Sequence, residues 1–218
     1  MVEVVDVRLK NTGKVGVFLT AGTAMDPGTH CIVETERGKE FGVVVRENRQ
    51  IPSDNLESLS NVFIRPATTS DINQYLDTRR KEKRIFGIVQ DLIEKHQLTM
   101  KLIKTDLLFE GSRVVVYYTA DGRVDFRELL KSLISALHCR IEMCQIGVRD
   151  SAKLLGGVGI CGRTVCCFSF LQDFDPVSLK LSRKSRCCQS PSRLSGICGK
   201  LRCCYAYEEP PLVQITGE

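Results

Sequence analysis

The first third of the chain alternates short apolar runs with polar residues, and glycine or proline separates the runs. Alternation with a period of two is typical of strands that have one face in a core. The strand-like runs cover residues 2–9, 15–20, 31–36 and 41–46. The pattern therefore predicts a small β domain over residues 1–65, either a barrel or a sandwich.

The spacing of apolar residues becomes helical near residue 70. Ser70 or Asp71 is predicted to cap one long exposed helix, or two shorter ones, with a charged stretch over residues 77–84 that leads to residues 85–95. The charged stretch is interpreted as a solvated helix face rather than a binding site. Strand-like runs follow over residues 100–109 and 113–119, then a helix capped by Asp125, and then a strand over residues 140–148. This order predicts a two-layer α+β domain over residues 66–149, with helices on one face of a mainly antiparallel sheet.

Apolar runs become scarce after residue 149, where glycine, serine, cysteine and basic residues dominate. Burying so little apolar surface does not offset the conformational entropy that the chain loses when it becomes ordered. Bound metal is an alternative source of folding free energy. Residues 150–218 are therefore predicted to form a cysteine-rich metal-binding segment, in a protein of the α+β class.

The cellular compartment decides how the eleven cysteines among 218 residues are interpreted. The N-terminus has acidic residues where a secretion signal is basic, and no apolar run reaches the ~18 residues of a membrane-spanning helix. The protein is expected to be cytoplasmic and to have no membrane span. In a reducing cytosol, clustered cysteines bind metal or take part in redox chemistry.

One nine-residue cysteine pattern occurs twice, over residues 159–167 and 196–204. Each copy has Gly-Ile-Cys-Gly, a basic residue and a closing cysteine doublet. Glycine beside a thiolate lets the backbone curl near a metal, and the two copies together reach the four thiolates that a cubane cluster or tetrahedral zinc needs. The predicted metal ligands are Cys161, Cys166, Cys167, Cys198, Cys203 and Cys204.

The sequence alone leaves the identity of the metal open. Adjacent cysteines strain a single small ion but suit several irons, so the doublets favour an iron–sulfur cluster, with zinc as the alternative. Which cysteine of each doublet binds is also open, as is the role of Cys187 and Cys188. Cys31, Cys139 and Cys144 fall in or beside predicted strands and helices and are interpreted as core residues.

Charge supports two kinds of partner for the cysteine segment. The whole chain has a net charge of +5, and residues 151–207 contain nine lysines and arginines against two aspartates. Such residues would offset the negative charge of a thiolate-bound cluster or contact RNA phosphates. A zinc-stapled RNA-binding module that uses Arg183, Lys184 and Arg186 is therefore the second hypothesis. A thiol oxidoreductase is the weakest, because no Cys-x-x-Cys motif is present.

The first cysteine motif and its surroundings resemble the bacterial YaaT (RicT) family. The similarity rests on residues 145–150, residues 152–157, the Phe-Asp-Pro-Val-Ser string at 174–178, and the second motif followed by Tyr-Ala-Tyr-Glu at 205–208. Residues 33–38 and the helix after Asp125 fit the same family. The resemblance therefore spans nearly the whole chain and includes the C-terminal homology region of a yeast polymerase-suppressor protein.

The resemblance implies a regulatory protein without an established catalytic activity. Its relatives are expected to bind [4Fe-4S] clusters through the motif cysteines and to assemble with small helical partner proteins. It further implies a link to an endoribonuclease, to RNA processing, and to cell-fate decisions such as sporulation. The six motif cysteines inherit the ligand role by this resemblance.

Overall fold

The apolar alternation of the N-terminal third closes into a β barrel in the computed structural model, which describes residues 2–10, 13, 15–20, 22, 24–51, 61–171, 174–179 and 194–207. The strands follow the spatial order β1-β2-β5-β3-β4, and β4 pairs with β1 to close the barrel. They are β1 (Val2–Leu9), β2 (Val15–Leu19), β3 (His30–Thr35), β4 (Gly38–Ile51) and β5 (Val62–Pro66). Of the two predicted alternatives, the barrel is the one found.

Small and β-branched side chains fill the barrel. Phe18 is its largest fully buried side chain, and Val5, Val7, Cys31 and Val33 surround it without solvent contact. Burial raises the pKa of the Cys31 thiol to about 12, so this cysteine behaves as an apolar core residue, as the sequence predicted.

Two barrel strands differ from the prediction. β4 continues to Ile51 instead of ending near residue 46, and β5 was not predicted. Within β5 only Phe63 is buried, so its sequence lacks the apolar alternation by which strands are recognised.

Helix α1 (Thr69–Lys95) is a single helix of 27 residues. Its N-cap is Thr68, not Ser70 or Asp71 as predicted from the sequence. The Asp71 N–H donates to the Thr68 hydroxyl at 3.3 Å, and the Thr68 N–H donates to the Asp71 carboxylate at 2.8 Å. This reciprocal pair is a capping box in which Asp71 occupies the third helical position.

Replacing Thr68 by alanine is expected to lower the free energy of unfolding by about 1 kcal/mol, because an N–H of the first helical turn loses its acceptor.

The Arg65 guanidinium and the Thr68 groups hold the pKa of the Asp71 carboxyl well below its usual range. The stability contributed by Asp71 is therefore present at neutral pH and lost as the pH falls below about 3.9, the ordinary value for aspartate. Chemical denaturation at several pH values measures both effects, with the exposed Thr69→Ala as control.

Strands β6 (Lys101–Leu107), β7 (Arg113–Thr119) and β8 (Arg140–Gln145) form a second, three-stranded sheet. β6 and β7 are antiparallel, whereas β7 and β8 are parallel, so the sheet is mixed rather than mainly antiparallel. Helix α2 (Arg127–Leu137) connects β7 to β8, and such a crossover returns the chain in the same direction. Buried side chains of both helices and β7 form the core, namely Val89, Ile93, Val114, Val116, Leu129 and Leu133.

Two predicted boundaries in this region are corrected. Helix α2 has Phe126 as its N-cap, and Asp125 instead accepts a hydrogen bond from the Arg127 N–H at 3.1 Å. Strand β8 ends at Gln145, so Val148 does not belong to it and begins helix α3 (Val148–Leu155).

The chain divides into two compact units, Met1–Gln145 and Ile146–Glu218. In the first, Phe41 of the barrel stacks on Tyr75 of α1 with ring centroids 4.6 Å apart, and the Arg37 guanidinium donates to the Tyr117 hydroxyl of β7 at 2.8 Å. In the second, the described residues form α3 and two one-turn helices, α4 (Cys166–Ser169) and α5 (Cys204–Tyr207). No helix in the described residues has the length and apolar character required to cross a bilayer.

Candidate metal centre

The two copies of the cysteine pattern fold into the same backbone loop. In the first, the Gly159 N–H donates to the Arg163 carbonyl at 2.8 Å, and the Gly162 N–H donates to the Gly159 carbonyl at 2.9 Å. In the second, Gly196 donates to Lys200 and Gly199 to Gly196, both at 2.9 Å. The repeated sequence therefore specifies a repeated structure.

Glycine is required at the tip of each loop. Gly162 and Gly199 both have φ of +76°, in the left-handed region that disfavours residues with a Cβ. Each tip immediately follows a cysteine, Cys161 or Cys198, so the turn brings that thiol back toward the base of the loop. This is the local reason why Cys-Gly opens each motif.

Each loop ends in its cysteine doublet, where the chain enters a helical turn. The Phe168 N–H donates to the Val165 carbonyl at 3.0 Å, and the equivalent Tyr205 N–H donates to the Arg202 carbonyl at 3.3 Å. The second cysteine of each doublet is the buried one, with Cys167 8% and Cys204 9% exposed. The two copies therefore also agree in which cysteine of the doublet is buried.

Equivalent residues of the two copies also meet. Phe170 and Tyr207 occupy the same position in their copies, and their ring centroids are 5.0 Å apart at an interplanar angle of 59°. Contact between equivalent residues is expected when two repeats are related by an approximate two-fold axis. The copies therefore face each other, although a long segment separates them in the sequence.

All six predicted cysteines line one cavity between the two loops. Apolar side chains of both copies line it as well, among them Ile160, Val165, Ile197 and Leu201. The sequence-based expectation that the motifs converge in space is therefore met by the geometry. No group of three or more histidine, cysteine or acidic side chains in the described ranges is spaced to hold a single metal ion.

The thiols are close enough to influence each other's ionisation. Burial raises the pKa of Cys167, and the neighbouring Cys198 of the other copy raises it further. Burial likewise raises the pKa of Cys203, with contributions from Cys167 and Cys204. The charge of Arg149 acts in the opposite direction on both groups. Several thiolates in this cavity would repel one another, and a cationic group among them would relieve that repulsion.

Arg149 is a site residue to which the sequence analysis assigned no role. It lies in α3, lines the cavity, and donates from Nη2 to the Leu201 carbonyl at 3.2 Å. Its guanidinium carbon lies 4.9 Å from the centre of the Phe174 ring. No spacing rule connects Arg149 to either cysteine motif, so the sequence alone gave no signal for it.

The other cysteines lie away from the cavity or outside the described residues. Cys31 lies in the barrel core, and Cys139 packs on the core beneath the three-stranded sheet. Cys144 lies in β8, whose side chains are partly buried or exposed. Cys187 and Cys188, together with the proposed RNA contacts Arg183, Lys184 and Arg186, fall outside the part of the chain that the structure describes.

Two parts of the chain match domains of known proteins. Residues 61–146 match the PSP1 C-terminal conserved region, and residues 176–216 match the third domain of PSP1-like proteins. The chain therefore contains two regions typical of PSP1-like proteins. It is also 43% identical over 208 residues to the stage 0 sporulation protein YaaT of Bacillus subtilis, an alignment that covers 95% of this chain and 76% of that protein. The chain belongs to the YaaT family.

A more distant relative contains only part of the same sequence. An uncharacterized protein of Schizosaccharomyces pombe is 22% identical over 144 residues, which is 54% of this chain but 19% of the yeast protein. No solved structure matches this chain.

Proposed function

We propose that this chain is a cytoplasmic regulatory protein that holds a [4Fe-4S] cluster between its two cysteine loops. The observation that carries the proposal is the arrangement of the six thiols, because two motifs far apart in sequence supply them to one cavity. Cys161, Cys166 and Cys167 would provide thiolates from the first copy. Cys198, Cys203 and Cys204 would provide them from the second.

The donor set and its surroundings fit an iron–sulfur group. Such clusters are held by four cysteine thiolates, and this cavity offers six. The apolar lining would limit the access of water, and Arg149 would balance part of the negative charge. A bound cluster would supply one-electron redox chemistry or a structural cross-link, while the protein residues bind it, shield it and compensate its charge.

The regulatory part of the proposal rests on the YaaT relative, whose name identifies it as a stage 0 sporulation protein. We infer that this chain acts in a complex with small helical partner proteins and an endoribonuclease, and thereby influences RNA processing and cell-fate decisions. Exposed apolar side chains in the second unit support a protein-binding role. Those more than half exposed there are Leu155, Val158, Ile160, Phe168, Phe170, Leu179 and Tyr207.

Metal analysis of anaerobically purified protein tests the cofactor. We expect close to four iron and four sulfide per chain, with broad absorbance in the blue that bleaches on reduction. The measurement should be made on the chain alone and again with the proteins that copurify with it.

The same measurement separates the outcomes. Stoichiometric zinc in a colourless anaerobic preparation would reject the cluster and support the zinc alternative. In that case, RNA affinity should be measured at several salt concentrations, because phosphate contacts make binding fall steeply as salt rises. Protein that contains neither iron nor zinc would contradict both versions.

A further inference from the structure

One cation reaches the thiol cavity from outside both cysteine loops. Arg149 precedes the first motif in sequence, yet its Nη2 donates to the carbonyl of Leu201, which belongs to the second motif. The Phe174 ring lies 4.9 Å from its guanidinium carbon. These contacts hold a planar, permanently charged group at the wall of the cavity.

One donor of this guanidinium finds no acceptor in the part of the chain that the structure describes. The Arg149 Nε is buried and has no hydrogen-bond partner among the described residues. A buried N–H without an acceptor costs free energy, and the cost is greater when the group is charged. A bound group that offers an acceptor to Nε would remove this cost. Cysteine sulfurs are the most numerous side-chain acceptors that line the cavity, and the Arg149 charge acts on Cys167 and Cys203 from different copies.

We propose that Arg149 is a positioning residue for the inorganic group in the thiol cavity, donating from Nε to sulfur and offsetting the negative charge of the thiolates. This inference rests on the proposed function. It assigns two effects to this side chain, which are a higher reduction potential of the bound group and a slower release of that group from the cavity.

The redox arm compares Arg149→Met, Arg149→Lys and Lys153→Met after anaerobic reconstitution with ferrous iron and sulfide. Lys153 is the matched control, because its ammonium lies 5.8 Å from the same Phe174 ring but it does not line the cavity. We expect Arg149→Met to shift the reduction equilibrium about tenfold toward the oxidised form, or about 59 mV for one electron. Arg149→Lys keeps the charge but loses Nε–H, so its reduction potential should fall between those of wild type and Arg149→Met.

A second arm measures how firmly the reconstituted protein holds the bound group. With an excess of an iron chelator, iron should leave Arg149→Met several-fold faster than wild type and leave Lys153→Met at the wild-type rate. Release is followed by the loss of visible absorbance.

The two arms separate the failure of this inference from that of the proposed function. If wild-type protein binds no cluster, the proposed function fails, whereas a cluster that binds without any effect of Arg149 overturns this inference alone. If Arg149→Met behaves like Lys153→Met in both arms, the positioning role is overturned. Should Arg149→Met not fold, as judged by circular dichroism, Arg149→Lys gives the decisive comparison, because loss of the Nε donor alone must still change the potential or the rate of iron release.

Discussion

Protein in which Cys161 and Cys198 are both serine should lose at least nine-tenths of its bound iron and sulfide. Each of these residues is the single cysteine that opens its loop, whereas the other four thiols occur in doublets. Within a doublet, the neighbouring sulfur offers a replacement ligand. No equivalent replacement adjoins Cys161 or Cys198, so the double variant removes one ligand from each side of the cavity.

The design of this experiment keeps folding and binding apart. Cys161 is exposed and Cys198 half-buried, so serine at these positions should disturb packing little. Cys139→Ser is the matched control, because Cys139 packs on the core of the first unit and does not line the cavity. Iron, sulfide and zinc are measured in anaerobic preparations. A double variant that retains the iron and sulfide of wild type would show that the loop openings do not hold the cluster.

Removing the Glu82 carboxylate should cost about 3 kcal/mol of unfolding free energy, the largest effect we expect in the first unit. Glu82 is 6% exposed, and both of its carboxylate oxygens are engaged. Oε1 accepts from the Leu107 N–H of β6 at 3.0 Å, and Oε2 accepts from Arg79 at 3.0 Å. Glu82→Ala leaves a buried N–H without an acceptor and a guanidinium without its counter-charge.

The same helix provides the control. Asp77 and Arg80 form an ion pair with the same sequence separation, but both side chains are exposed. Asp77→Ala should therefore change the unfolding free energy by less than about 0.5 kcal/mol. Urea denaturation of both variants measures the difference. If the two substitutions changed the unfolding free energy equally, burial of the Glu82–Arg79 pair would contribute nothing to stability.

Glutamine at residue 82 separates charge from hydrogen bonding. Burial raises the pKa of Glu82, and the Leu107 N–H and Arg79 only partly offset this effect. Because the folded-state pKa is raised, the wild type loses stability as the pH rises from about 4.3, the ordinary value, through the folded-state value. Glu82→Gln keeps an acceptor for the Leu107 N–H and does not titrate. Its stability should therefore vary less over this pH range than that of wild type.

Much of the first unit was predictable because its signals are local. β7 was predicted with the boundaries that the structure gives, since a run of β-branched and aromatic residues ends at clear turn residues. Glu82 shows the limit of such reasoning. The charged stretch over residues 77–84 was interpreted as a solvated helix face, yet Thr78 and Glu82 are buried. Glu82 accepts a hydrogen bond from Leu107 of β6, a contact that the local pattern of the helix does not encode.

The sequence indicated the six cysteines of the cavity but not Arg149. Two nearly identical sequences produce two loops with the same hydrogen bonds and the same left-handed glycine, and the cysteines of both loops line one cavity. Arg149 reaches the cavity only because α3 packs beside both loops, and no local pattern encodes that contact. The sequence of α3 was also misleading, because Val148 reads as the end of a strand.

The facing arrangement of the two loops has a further consequence for stability. An inorganic centre bound by both Cys161 and Cys198 would be a reversible cross-link that closes a long loop of the chain. Such a closure lowers the entropy of the unfolded state by an amount that increases with the logarithm of loop length. Resistance of the second unit to proteolysis would then depend on the supply of iron in the cell, because chelation would remove this cross-link.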